Sequence, residues 1–146
     1  MNVETILASK GSEVSIIRPD ATVGEALHRM RIERLGALVV SENGASIAGI
    51  ISDRGIMWAI DEYGVGVLGN SVGSVMTKEV LTCSREDRVS ALMATMTKRR
   101  FRHIPVVKKD GRLCGIISIG DVVKQRLDEI QHEADAMREY IAGARS

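Results

Sequence analysis

The sequence predicts a mixed α/β fold of the α+β kind. Two β-α-β-β-α repeats pack by pseudo-twofold symmetry, and a long C-terminal helix follows. Three observations carry this expectation. The line GIIS occurs twice, in GIISDRG (49–55) and in GIISIGD (115–121). The offset of 66 residues between Gly49 and Gly115 then holds without a gap over most of each copy: it pairs Val14 with Val80, Val23 with Val89, Met30 with Met96, Arg34 with Arg100 and Val40 with Val106. Finally, Val123, Leu127, Ile130, Ala134, Met137 and Ile141 step by four and three after the second copy, as one face of a helix does. A repeat of this length decides the fold before any single motif can.

Each copy opens with a short β-branched run, Val14 to Ile17 and Val80 to Cys83. A helical pattern follows, apolar at 23, 26, 27 and 30 and again at 89, 92, 93 and 96. Thr22 and Asp87 stand where N-caps belong. Two apolar runs joined by a turn come next: ALVV (37–40) and IAGII (47–51) around Asn43-Gly44, then HIPVV (103–107) and LCGII (113–117) around Asp110-Gly111. Asn-Gly and Asp-Gly favour hairpins because glycine accepts positive φ. A second helix closes each copy, starting near Ser52 and Ser118. One such small sheet, covered on one face, is marginal alone, so two copies sharing a core are expected. The divisions read from this pattern are repeat 1 with its N-terminal segment over 1–63, a connector over 64–71, repeat 2 over 72–125 and a helical extension over 126–146.

Composition narrows the function. Lys and Arg number 20 against 19 Asp and Glu, and aromatic residues make up 3%. That balance gives no reason to expect nucleic acid, and few rings are available to stack bases. The start MNVETILASKG carries early charges, and no apolar run is long enough for a bilayer. A cytoplasmic protein without a membrane partner is expected. Cys83 and Cys114 sit in strand-like runs and read as buried inert thiols, not as a metal site. GVGVLGN (64–70) matches G-x-G-x-x-G but follows a helical pattern where the dinucleotide motif needs a strand, so it reads as a flexible connector.

The closing motif of repeat 2 admits two chemistries. Ser118 and Asp121 stand three apart at a strand-to-helix junction, the spacing of a capping box. The same junction suits a nucleotide. A helix N-terminus attracts phosphate, a hydroxyl at Ser118 could donate to it, Gly120 lets a ligand approach the backbone, and a carboxylate at Asp121 could accept from both ribose hydroxyls. The basic stretch KRRFRHIP (98–105) sets Arg102 and His103 at the start of the neighbouring strand, either as a solvated strand end or as a grip on phosphate.

The duplicated unit, HIPVV, GIISIGD and VGSVMT (72–77) together resemble the cystathionine-β-synthase (CBS) domain present as a tandem pair, from about Val3 through Val123. The resemblance is nearest to small bacterial stand-alone pairs with no catalytic domain. It implies a regulatory module that binds AMP, ADP, ATP, NAD(H) or S-adenosylmethionine between its halves, usually as a homodimer. It places the ribose on Asp121, the hydroxyl on Ser118 with Ile119 and Gly120 beside it, and phosphate at Arg102 and His103. It draws the adenine wall from the other copy, at Lys10, Gly11, Ser12, Ser15, Leu35, Gly36 and Ala37. Repeat 1 departs from the pattern, since Gly55 replaces the ribose aspartate and Val39 replaces the proline kept as Pro105. One competent adenosine site per chain follows, with a second cleft near Thr82, Ser84 and Ser52 that is empty, structural or adapted to another group.

The functional expectation is therefore a non-enzymatic sensor of AMP, ATP or NAD(H) that needs no cofactor. An S-adenosylmethionine module, or a structural dimerisation or partner-docking protein without ligand, is the alternative. A phosphohydrolase is disfavoured because no nucleophile–base pair stands out and His28, His103 and His132 lie in unrelated contexts. The apolar stripe of the tail is expected to pack on its own domain or on a dimer mate, with Gly143 as its stop.

Overall fold

The structure, a computed structural model, describes residues 1–145; Ser146, the last residue of the predicted tail, lies outside the described residues. In order the chain forms α1 (Val3–Lys10), β1 (Ile16–Ile17), α2 (Val23–Glu33), β2 (Ala37–Val40), β3 (Gly49–Ser52) and α3 (Asp53–Tyr63). A 3-10 turn (Val65–Gly69) and α4 (Val72–Val75) lead to α5 (Val89–Arg99), β4 (His103–Val107), β5 (Leu113–Ser118) and α6 (Ile119–Arg145). This is the mixed fold of two small sheets and a long last helix that the repeat predicts.

The local reasons repeat with the sequence. Thr22 caps α2 in a reciprocal box with Glu25. α2 and α5 both end on an arginine in the left-handed region, Arg34 at φ 57° and Arg100 at φ 59°, with cap N–H groups donating to Met30 O and Met96 O. Gly44 and Gly111 supply the positive φ of the two hairpin turns. β1 runs parallel to β2, and β2 runs antiparallel to β3. β4 and β5 pair antiparallel from His103 opposite Ser118 to Val107 opposite Leu113.

Four expectations change. The run Val80–Cys83 forms no strand, because only Cys83 bridges to Val106. Asp87 does not cap α5: the cap position is Arg88, while the Asp87 carboxylate accepts from the Ser84 N–H and hydroxyl. The glycine-rich connector takes up regular structure, a 3-10 turn over Val65–Gly69 with Val67 buried. Gly143 does not stop α6, which runs to Arg145; an exposed glycine costs a helix only about 1 kcal/mol.

The lobes interlock. Val3, Ile6 and Leu7 of α1 sit in the core of the second lobe with Cys83, Leu92, Ile104 and Ile117. Val72 of α4 is buried in the first lobe with Val23, Leu38 and Ile51, and Val75 and Met76 pack against that core. The leading helix of each repeat thus serves the other. Two matched glycines permit it. A Cβ on Gly115 would meet Leu7 Cδ2 at 2.8 Å, and one on Gly49 would meet Met76 Sδ and the Thr77 carbonyl oxygen at 2.7 Å.

Gly49→Ala is therefore expected to cost about 1–3 kcal/mol of unfolding free energy, since the Thr77 backbone cannot yield as a side chain can. Gly66→Ala, with open space around it, serves as the control and changes stability by less than about 0.5 kcal/mol. Equal midpoints in urea would contradict this account of the crossing.

Candidate functional site

The site grows from the junction of β5 and α6. Ser118 ends the strand, and the next residue begins the helix. The Asp121 N–H donates to Ser118 Oγ at 3.2 Å, and the Ser118 N–H donates to Asp121 Oδ2 at 2.8 Å. The capping box is formed, with aspartate in the place usually held by glutamate. The Ile119 N–H donates to the Arg102 carbonyl at 2.8 Å, which fixes the helix start beside the start of β4. The first repeat builds the same turn: Ser52 caps α3, and the Asp53 N–H donates to the Gly36 carbonyl at 3.0 Å.

α1 supplies the cation. Its last residue, Lys10, reaches across 111 residues of sequence to Asp121, with Nζ 2.7 Å from Oδ2, and also donates to the Ile116 carbonyl at 2.9 Å. Burial alone would raise the Asp121 carboxyl. The bonds from Lys10 and Ser118, with the ammonium charge, outweigh it and hold the carboxyl below the usual aspartate range. His103 is half-buried beside this pair. Burial first, then the Arg102 guanidinium, lowers it below the usual histidine value, against the pull of Asp53 and Asp121. It is therefore the neutral imidazole at neutral pH.

The structure brings Lys10, Arg102, His103, Ser118, Ile119, Gly120 and Asp121 to one place, and Gly36 with them. A Cβ on Gly36 would stand 3.1 Å from His103 Cε1 and 3.7 Å from Asp53 Oδ2. Arg102 is exposed and Ala37 is buried, paired with Ser52. Gly11 ends α1 at φ 97°, and Ser12 is exposed just beyond it. Ser15 Oγ is engaged elsewhere, donating to Glu33 Oε1 at 2.5 Å, a bond that lowers the Glu33 carboxyl. Leu35 lines a cavity of about 580 Å³ between α2 and α3, with Leu27, His28 and Asp53.

The second cleft is not gathered as expected. Cys83 bridges parallel to Val106, so Ser84 lies toward the Val107 end of β4, tied to Asp87. Ser52 lies at the other end, next to Asp53 and so near His103. The length of β4, about 13 Å, separates them. Thr82 is exposed beside Cys83.

Two features escape a reading of the motif alone. Lys10 enters the sequence reading as part of a wall, not as the ion partner of Asp121. Its signal is present at the repeat offset, where Lys10 pairs with Met76 and Asp121 with Gly55: the repeat-related position lacks both members of the pair together. Asp53 precedes Gly55 by two residues and points to no role in sequence, yet it reaches the vicinity of His103 because Gly36 has no side chain between them.

A family model described as the CBS domain matches residues 8–62 and 72–128. The fold is similar to the crystal structure of a CBS-domain containing protein from Agrobacterium tumefaciens, with a TM-score of 0.81 and 41% identity over 86% of this chain and 98% of that one. The chain is 38% identical over 128 residues to a mitochondrial CBS domain-containing protein of Arabidopsis thaliana; the match covers 85% of this chain but only 62% of the plant protein. The crystal structure of CBSX2 in complex with AMP is 25% identical, with a TM-score of 0.69 over 79% of this chain and 88% of that one.

Lys10→Met, which copies Met76, is expected to raise the Asp121 pKa in a carboxyl-detected NMR titration. A carboxyl depressed in the folded state adds stability that is present above the unfolded value of about 3.9 and is lost as pH falls through the folded value. The variant should therefore lose less stability on acidification than the unsubstituted chain. An unmoved Asp121 titration would show that the ammonium is not what holds the carboxylate.

Proposed function

The chain belongs to the CBS-domain family, and from that premise we propose that it is a regulatory module that binds one adenine nucleotide per chain at Asp121 and catalyses nothing. The observation that carries this reading is the constellation itself. An ionised carboxylate sits in the first turn of α6, with Lys10, His103 and Arg102 around it. A ribose offers two vicinal hydroxyls, and a carboxylate accepts two bonds. Oδ2 already holds Ser118, so Oδ1 and the Lys10 contact are what a ribose would take up. Once displaced, the Lys10 ammonium is free to meet a phosphate, together with Arg102 and the N-terminus of α6. The repeat-related position offers Met76 and Gly55, neither cation nor carboxylate, which supports a single adenosine site. The likeness to CBSX2, crystallised with AMP, supports AMP as the first ligand to try.

The non-catalytic reading has a chemical basis beyond the motif. Burial, with Asp87 and Cys114 nearby, pushes the Cys83 thiol up to about 12, so it supplies no thiolate. Regulation would follow from the interlock. A ligand that draws Lys10 off Asp121 acts on the end of α1, which is packed in the second lobe. It shifts the balance only if it binds one arrangement better than the other. Asp53 beside His103 favours a second reading, in which the ligand is S-adenosylmethionine and its positive charge faces that carboxylate.

Calorimetry with AMP, ATP, NADH and S-adenosylmethionine separates these readings. A nucleotide is expected to bind, and Asp121→Ala to weaken it by about tenfold or more, a loss of at least about 1.4 kcal/mol. If all four titrations are silent while Asp121→Ala still lowers the melting temperature, the carboxylate is a helix cap only. The pH dependence is a second check. Phosphate beside His103 raises its depressed pKa, so binding takes up a proton. Nucleotide affinity should then rise as pH falls through the pKa of His103 in the complex and level off below its depressed value in the free chain, and His103→Gln should flatten that rise.

A further inference from the structure

α6 is one helix of 27 residues, about 40 Å long. Val122 is its last buried residue among those described. The apolar stripe beyond it is therefore not packed on its own domain. Val123, Leu127, Ile130, Met137 and Ile141 each expose between 46% and 60% of their surface. With Ala134 they alternate steps of four and three, the heptad spacing that forms the seam of a two-stranded coiled coil.

We infer that this seam is covered by the same seam of a second copy of the chain, the two α6 helices lying parallel and in register. The spacing makes Leu127, Ala134 and Ile141 the a positions and Val123, Ile130 and Met137 the d positions. The flanking charges then choose the orientation. In the parallel register, Glu133 at g faces Arg138 of the partner subunit at e of the next heptad, and symmetry forms this pair twice. Arg126 faces a neutral glutamine, Gln131 of the partner subunit. In the antiparallel register that keeps all six seam residues paired, Glu133 meets Glu133 of the partner subunit and Lys124 meets Arg138 of the partner subunit, both like-charge contacts. Among the described residues of its own chain Arg138 has a loose pairing with Asp135 at 3.9 Å, leaving the guanidinium open to a better carboxylate. A seam of this kind is complementary to itself, as a twofold contact requires. Leu127, Ile130, Met137 and Ile141 are its anchors; Ala134 adds little area at the centre.

The test uses the full chain. Sedimentation equilibrium is expected to give a dimer. Mild oxidation of the Met137→Cys variant is expected to give a covalent dimer, because d residues of parallel helices face one another. The unsubstituted chain is the control, since its own Cys83 and Cys114 are buried. Ile130→Asp in the Met137→Cys background should abolish the cross-link without lowering helix content. Glu133→Arg and Arg138→Glu should each weaken the dimer, and the two together should restore it. A monomer overturns the inference, as does a dimer in which Met137→Cys does not cross-link. Cross-linking that appears only between copies carrying Leu127→Cys and copies carrying Met137→Cys overturns it as well, by showing the antiparallel arrangement.

Discussion

The molecule depends on a close approach that only two missing side chains allow. Leu7 lies against the backbone of β5 at Gly115, and Met76 and Thr77 lie against β3 at Gly49. Everything that positions the site follows from these crossings. Because α1 lies on the second lobe, its last residue arrives at Asp121; were it packed on the first lobe, Lys10 would end elsewhere and the carboxylate would have only its cap. The hydrophobic contact is nonspecific in itself. It becomes specific because the strand is bare at one residue, and the polar pair at the end of the helix then closes with 2.7 Å geometry.

The asymmetry between the repeats is a change of chemistry on a conserved scaffold. Both repeats share the left-handed arginine after the first helix, the hairpin glycine, the hydroxyl cap and the backbone bond from the second helix to the residue before the hairpin. What differs is the ionic pair at the end. Lys10 with Asp121 is replaced by Met76 with Gly55, so the first lobe gains an apolar plug against Gly49 where the second has a partly buried ion pair. Losing both charges together avoids the penalty of leaving either one half-buried without its partner.

Much of this architecture is legible in the sequence because it is local and written twice. β2 and β4 begin and end where their apolar runs do, and Thr22 caps α2 as its spacing with Glu25 implies. Illegible features are those decided at long range or by competition. Val80–Cys83 has strand composition, but only one residue finds a partner. Asp87 has cap chemistry, but Ser84 claims its carboxylate. The members of the site were in view, since Asp121, Ser118, Arg102 and His103 meet as their motif suggests. Lys10 is legible as part of the same cleft but not as the ion partner of Asp121, because the two residues lie 111 positions apart and no local rule joins them. The grouping of Thr82 and Ser84 with Ser52 required knowing which end of β4 each occupies, which is a matter of register.

The exchange of leading helices also sets the order in which the molecule can be completed as it is made. α1 is synthesised before both sheets, yet the core it enters includes Ile117 and Val122. The first lobe meets the same condition on a smaller scale, because it is not closed until Val72 has followed it. For most of synthesis, then, Val3, Ile6 and Leu7 are an apolar face without a home, held beside a first lobe that has no place for them. Contacts of such wide sequence separation form late and slow the search. While the two repeats are being made, the apolar face of α1 therefore stays exposed longest, and that is where a chaperone would bind.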